Sequence, residues 1–225
     1  MNAKKLSFLL LILVAVACTN RSTSSEQDEM RHWNNVLQQI NALLLENKAR
    51  QTLDLAKQTL PEILESAEKN GTTDTLIYYA RKIFNACGNN YINTKQYKDG
   101  IDYMDSIGNH PLIREHCPHE LLSFKAGLNQ LYGNNPEAVR LAEDYLQLPV
   151  CTSANDFIRQ AEIISGVYMY SGNNLPKAIQ ILEKAIDVYR KGGNFPNMLR
   201  IMSRLGIYYH LSGEYEKAIA TNQER

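Results

Sequence analysis

The run with the most chemical potential is Arg114-Glu115-His116-Cys117-Pro118-His119. Histidine, cysteine and carboxylate side chains hold zinc, but a closed site needs four ligands at defined spacing, and no second Cys/His pair stands nearby. His116 and Cys117 are adjacent in the chain, which points them apart, so the run reads as a loop between helices. His32, His110 and His210 are isolated. No glycine-rich phosphate loop, nucleophile elbow or HExxH motif is present. Glu214 and Glu216 make a carboxylate pair, but at a helix start, where negative charge suits the helix dipole. The expectation is a protein with no catalytic residue, no metal site and no cofactor.

The N-terminus carries a different kind of chemistry. Residues 1–18 read MNAKKLSFLLLILVAVAC. Lys4 and Lys5 give a positive start, and Leu6–Ala17 is an apolar run broken only by Ser7, which reads as a secretory segment and is short for a membrane span. Its end, Ala15-Val16-Ala17-Cys18, resembles a bacterial lipobox with Ala15 where leucine is more usual. The resemblance implies cleavage after residue 17 and acylation of Cys18, and several acyl chains make a durable anchor where one is marginal. Residues 18–29 then form a tether, because Thr19–Glu29 has no apolar residue with which to enter a core. Ser24–Glu29 is similar to the acidic export signals on surface lipoproteins of Bacteroidetes-like bacteria. The implied location is the cell envelope, as an outer-membrane lipoprotein facing the periplasm or the exterior. The alternatives are a periplasmic or secreted protein, or one anchored in the inner membrane.

Composition speaks for a globular helical body. Lys plus Arg equals Asp plus Glu at 24 each. A near-neutral chain lacks the basic stripe that nucleic acid demands, so nucleic acid is excluded as a partner. Apolar periodicity and Gly/Asn punctuation place helices near 30–45, 49–69, 74–92, 97–106, 120–131, 136–146, 155–171, 176–191, 196–211 and 215–224. Pro136 and Pro176 open helices, where a missing N–H costs nothing. Pro61 falls inside a helical pattern and is expected to kink or end it. No stretch alternates like a strand, so the fold class is all-α.

The last stretch, Leu199–Arg225, reads LRIMSRLGIYYHLSGEYEKAIATNQER. Leu205-Gly206, Tyr209, Gly213, Tyr215 and Ala218 stand at the spacing of a tetratricopeptide repeat (TPR), so the chain resembles that family. Leu205 and Tyr209 are four apart and share a helix face; Gly213 marks the turn; Ala218 is small because a second helix crosses closely there. A single such pair cannot bury its apolar face, so neighbours are required. They occur at a period of about 40 residues. One start, near 159, has Gly166, Ala178, Leu182 and Ala185. The one near 119 has Gly133, Ala138 and Ala142, and the one near 81 has Phe84, Gly88 and Tyr91. The start near 30 has Trp33, Ala49 and Leu53 but Leu37 in place of a small residue. Gly100 also departs from the pattern, in a slot that usually holds alanine. The resemblance implies a superhelical solenoid of antiparallel helix pairs over 30–225, with four to five repeats of which the last is incomplete.

In this family the first helices line the concave side. Carried onto this chain, the ligand-facing slots are Lys82, Asn85, Asn89 and Asn93, then Glu120 and Gln130, then Gln160 and Tyr170, then Arg200, Ser203 and His210. The set is rich in amides and suits an extended peptide backbone. It shares only part of the Lys/Asn/Arg clamp with which chaperone-binding members grip a terminal carboxylate. The remaining cysteines are Cys87, Cys117 and Cys151, so at most one internal disulfide can form. Cys87 takes a packed slot; Cys117 and Cys151 fall in loops on neighbouring repeats about 10 Å apart, too far for a bridge unless the loops lean together.

The resemblance implies a lipid-anchored, extracytoplasmic scaffold that binds a protein or peptide without catalysis. Two alternatives stay open. One is the sensory region of a larger signalling protein, a histidine kinase or helix-turn-helix regulator, continuing beyond residue 225. The other is a nutrient lipoprotein in which Trp33 and the tyrosines stack on glycans.

Overall fold

The structure is a computed structural model that describes residues 27–149, 154–192 and 195–224. Cys18, the segment before it and Cys151 lie outside them. The described residues form helices and connecting turns, with no strand among them. In chain order these are α1 (27–45), α2 (Ala49–Asn70), α3 (Asp74–Asn93), α4 (Tyr97–Ile107), α5 (Pro111–His116) and α6 (Pro118–Tyr132). They continue with α7 (Asn135–Gln147), α8 (Ala154–Tyr170), α9 (Leu175–Gly192), α10 (Phe195–Leu211) and α11 (Tyr215–Glu224). Antiparallel pairs stack along the chain. Each first helix from α3 onward packs on its own second helix and on the next first helix, in the order α3, α6, α8, α10. This is a TPR-like solenoid.

Each pair is joined by the same backbone device. A left-handed residue ends the first helix at Asn47, Lys95, Gly133, Asn173 and Gly213. In four of the five turns the next N–H donates to the carbonyl five residues back, as Gln96 N to Tyr91 O at 3.1 Å and Glu214 N to Tyr209 O at 2.8 Å. Orphan carbonyls at the helix end are thereby satisfied. Glycine takes this conformation freely; Asn tolerates it, and Lys95 adopts it at a steric cost of about 1–2 kcal/mol. The turn geometry repeats even where the residue does not.

The second helices are amphipathic. In α9, Ala178, Ile179, Leu182, Ala185 and Ile186 recur at helical spacing and are buried, while Asn174 Oδ1 accepts from Lys177 N to close the first turn. Leu205, Tyr209 and Ala218, the core of the repeat signature, are all buried. The interior divides at α6. A front core runs from Trp33 through Phe84, Tyr91 and Met104 to Phe124 and Leu128. A rear core runs from Ala126 through Leu141, Ile164 and Leu182 to Tyr209 and Ala218.

Three expectations are corrected. Of the kink or end expected at Pro61, the end does not occur: α2 runs through it for 22 residues, with Ala56, Leu60, Ile63 and Leu64 buried on both sides of it. That packing outweighs the lost backbone hydrogen bond. Second, α5 is an additional helix where a loop was expected. Pro111 starts it, His110 Nδ1 accepts from Leu112 N at 3.2 Å, and Leu112 and Ile113 are buried. Third, the segment that holds Cys117 is not an open loop: Cys117 joins α5 directly to α6 and is a fully buried member of the front core. Gly100 also finds its reason. A Cβ there would lie 3.0 Å from Tyr91 and 3.1 Å from Leu128, so the slot that normally takes alanine has no room for it.

Candidate functional site

The first helices open onto a groove of about 740 Å³. One wall is α1, with Leu37, Ile40, Asn41 and Leu44. Trp33 of α1 packs against Tyr79 of α3 with ring centroids 5.9 Å apart, which sets these two helices side by side. The floor is a single stripe of α3: Tyr78, Lys82, Asn85, Asn89 and Asn93, spaced by three and four and so stacked on one helix face. The other wall is Arg159 of α8 and Arg200 of α10.

Arg159 spans the groove. Its Nε donates to Asn89 Oδ1 at 2.7 Å, although the residues are 70 apart in sequence and α6 lies between their helices in the stack. The close approach of α6 to α8 depends on Gly127, where a Cβ would lie 2.7 Å from Ile163 Cγ2. Behind the wall sits Glu162, whose side chain is 3% exposed. Its Oε2 lies 2.6 Å from Arg200 Nη2 and 3.6 Å from Arg159 Nη1, and its backbone carbonyl accepts from Arg204 Nη1 at 2.8 Å. Burial lowers the Arg159 guanidinium from its ordinary range; Glu162 opposes that shift, while Arg200 and Arg204 add to it. The Arg159 and Arg200 guanidinium groups therefore share one buried carboxylate, Arg204 holds the carbonyl of the same residue, and no acidic residue lines the groove itself among the described residues.

Two further contacts shape the floor. Lys82 Nζ lies 5.7 Å from the centroid of the Tyr78 ring. Asn90 is fully buried at the edge of the groove; its Nδ2 donates to Ala86 O at 2.8 Å, while its Oδ1 has no hydrogen-bond partner among the described residues.

The expected site residues separate into three groups. Lys82, Asn85, Asn89, Asn93 and Arg200 are brought together on the groove. Gln130, Tyr170, Ser203 and His210 do not line it: Tyr170 and His210 are exposed, Gln130 is half-buried beside Gly166, and Ser203 Oγ donates to Leu199 O. Glu120 and Gln160 are placed inside the protein, a correction to their reading as ligand-facing. Glu120 is 2% exposed and pairs with Arg81 Nε at 3.2 Å; Gln160 is 1% exposed and accepts from Tyr145 Oη at 3.3 Å. Trp33 is likewise buried and offers no ring to a sugar. Position-by-position reasoning missed Tyr78, the α1 wall and Arg159. Tyr78 was within reach, since it lies one turn before Lys82 on the same stripe. Arg159 was not, because its role depends on reaching over a neighbouring helix.

No three histidine, cysteine or carboxylate groups converge at metal-binding geometry among the described residues. His119 Nε2 lies 2.7 Å from Pro149 O, and the His116 carbonyl is held by Arg81. No described helix is long and apolar enough to cross a membrane.

Comparison with known proteins follows the same lines. Residues 161–225 match the tetratricopeptide repeat family model. No curated protein matches the chain. Among solved structures, a Podosopora anserina protein of kinesin light chain type with nearly identical TPR-like repeats is similar at 12% identity and a TM-score of 0.53, covering 85% of this chain and 91% of that one. BtubC (BKLC) from P. vanneervenii is similar at 13% identity and a TM-score of 0.54, covering 79% of this chain and 74% of that one. These likenesses show the fold.

Proposed function

We propose that the chain is a non-catalytic scaffold that docks an extended segment of a protein partner in the groove between α1, α3, α8 and α10. One observation carries this reading. A stripe of asparagines lies between an apolar wall and a cationic wall, beside a buried carboxamide oxygen, that of Asn90, with no hydrogen-bond partner. Amides in a row suit the alternating N–H and C=O groups of an extended backbone, while the walls select side chains. TPR-like solenoids generally serve protein interaction, which agrees.

The test is photo-crosslinking in the native host. A photoreactive side chain at Asn85 or Asn93 is expected to capture the same discrete protein, and one at Glu137 on α7 is not. Equal labelling from all three positions would sink the reading.

The Cys18 motif supports a lipid anchor that holds this scaffold in the cell envelope, on the outer membrane of a Bacteroidetes-like bacterium. Metabolic labelling with an alkyne fatty acid tests it: Cys18→Ala should lose the label and leave the membrane fraction. A second reading, the sensory part of a signalling protein, is favoured by a separate observation. Ile207, Leu211, Tyr215 and Ile219 are exposed at the α10–α11 end, a face that a further helix pair would cover. Following the coding frame downstream for a transmembrane span and a kinase or helix-turn-helix region decides between the two. The glycan-capture alternative loses Trp33, which is buried, and rests on exposed tyrosines such as Tyr78 and Tyr170.

A further inference from the structure

We infer that the groove selects an extended amphipathic segment in which acidic and apolar residues alternate. The acidic side chains face Arg159 and Arg200, and the apolar side chains face Leu37, Ile40 and Leu44. This inference rests on the scaffold reading above and names the chemistry of its ligand.

The argument begins with charge. Lys82, Arg159 and Arg200 line the groove, and no carboxylate lines it among the described residues. Glu162 is shared by Arg159 and Arg200 and neutralises one of the two. The cationic wall therefore keeps an excess of positive charge, in a chain whose formal net charge is zero. Arg200 is half-exposed, and Arg159 is held across the groove by a neutral partner, Asn89. A carboxylate entering between them makes an ionic contact to each and displaces only the bond from Arg159 to the uncharged Asn89 amide.

The walls then set the pattern. The apolar residues stand on α1 and the guanidinium groups on α8 and α10, with the α3 stripe between. In an extended chain successive side chains point to opposite sides, so acidic residues at every second position meet one wall and apolar residues at the others meet the opposite wall. The floor matches this repeat. Asparagines three or four apart on a helix are spaced about 5–6 Å, and two residues of extended chain advance about 6.6 Å. A helical ligand would present its carboxylates every third or fourth residue and offer no backbone N–H to the floor. A single terminal carboxylate would leave the α1 wall uncovered.

The experiment uses the mature chain and fluorescently labelled ten-residue peptides, acetylated and amidated so that no terminal charge remains. The first alternates Glu and Leu over six residues. The second replaces Glu by Gln, and the third has the composition of the first with its Glu and Leu in separate blocks. Fluorescence anisotropy is expected to show the alternating acidic peptide binding at least tenfold more tightly than the other two, with affinity falling as salt rises. Arg200→Gln should weaken it at least tenfold with an unchanged helical circular dichroism spectrum, while Arg140→Gln on the outer helix α7 should leave it unchanged. Equal affinity for the Glu and Gln peptides, indifference to Arg200→Gln, or tighter binding of a free-acid C-terminus overturns the inference. If the Gln peptide binds in the groove as well as the acidic one, the scaffold reading stands and the charge selection fails. If photo-crosslinking from Asn85 and Asn93 finds no partner, the scaffold reading itself fails.

Discussion

Gly88 on α3 and Gly166 on α8 occupy the same position of two helix pairs, yet they meet opposite surroundings. A Cβ on Gly88 would lie 2.4 Å from Phe124 Cδ2, inside the aromatic front core. A Cβ on Gly166 would find its nearest atoms 3.8 Å away, at the polar ends of Arg204 and Gln130. Gly206, the third of the set, stands between these, 3.2 Å from the Asn222 side chain. The front of the solenoid closes on large rings such as Phe84 and Phe124, whose centroids are 6.2 Å apart, and it must leave out a side chain to admit them. The rear packs alanines such as Ala161, Ala178 and Ala185 among its buried tyrosines, and it has room to spare at Gly166. One repeat signature thus covers two packing solutions.

The strongest test of that contrast is Gly88→Ala. Overpacking a filled core costs about 1–3 kcal/mol, and the ring it meets is fully buried. Urea unfolding followed by fluorescence of Trp33, the single tryptophan, should show the loss, and adding Phe124→Leu should recover part of it. Additive losses in the double variant would show that the ring is not the obstacle.

Next in size is an alkaline effect of one front-core thiol. Burial pushes the Cys87 thiol up to about 12 from an ordinary 9.0, although the Tyr103 hydroxyl, 3.8 Å away, and Lys57 act in the other direction. The folded protein keeps this proton when the unfolded chain releases it. Stability from this group is therefore fully present below about pH 9 and is lost as pH rises from there toward 12. Cys87→Ala should flatten the decline seen by Trp33 fluorescence between pH 9 and 10.5; an unaltered slope would assign it elsewhere.

Gly166→Ala should instead stabilise, by about 1 kcal/mol, the helix-propensity advantage of alanine over glycine. Thermal unfolding followed by circular dichroism reads this as a raised Tm. A lowered Tm would mean that the rear slot is as full as the front one. The smallest effect is expected at Lys95, whose left-handed φ of 59° suits glycine. Lys95→Gly should gain up to about 1 kcal/mol by relieving that strain, less what glycine adds to unfolded-chain entropy.

Much of this was legible in the chain. The Leu205, Tyr209 and Ala218 spacing announced a helix pair, and Gly133 and Gly213 announced turns that do adopt positive φ. The turns at Asn47 and Lys95 carry no glycine, so their identity with the others appears only in the backbone. The short α5 was missed because six residues are too few to show a period. Of the site, the α3 stripe was legible because one helix carries it. The fate of Glu120 and Gln160 was not. A polar residue in a ligand-facing slot looks the same in sequence whether solvent or a neighbouring helix covers it, and here Arg81 and Tyr145 cover these two.

Periodicity and turn chemistry act over a few residues, so the sequence by itself determined the longer helices, their pairing and the all-α solenoid. The curl of the stack depends on close contacts such as Gly127 against Ile163, and it brings α1 and α10 onto one groove. Only tertiary structure could therefore decide that Arg159 reaches Asn89, that Glu162 is shared by two groove-lining arginines, and that an apolar wall and a cationic wall face one asparagine stripe. The physical reason is range: a helix is closed by bonds four residues long, while a groove is closed by side chains that meet across 70.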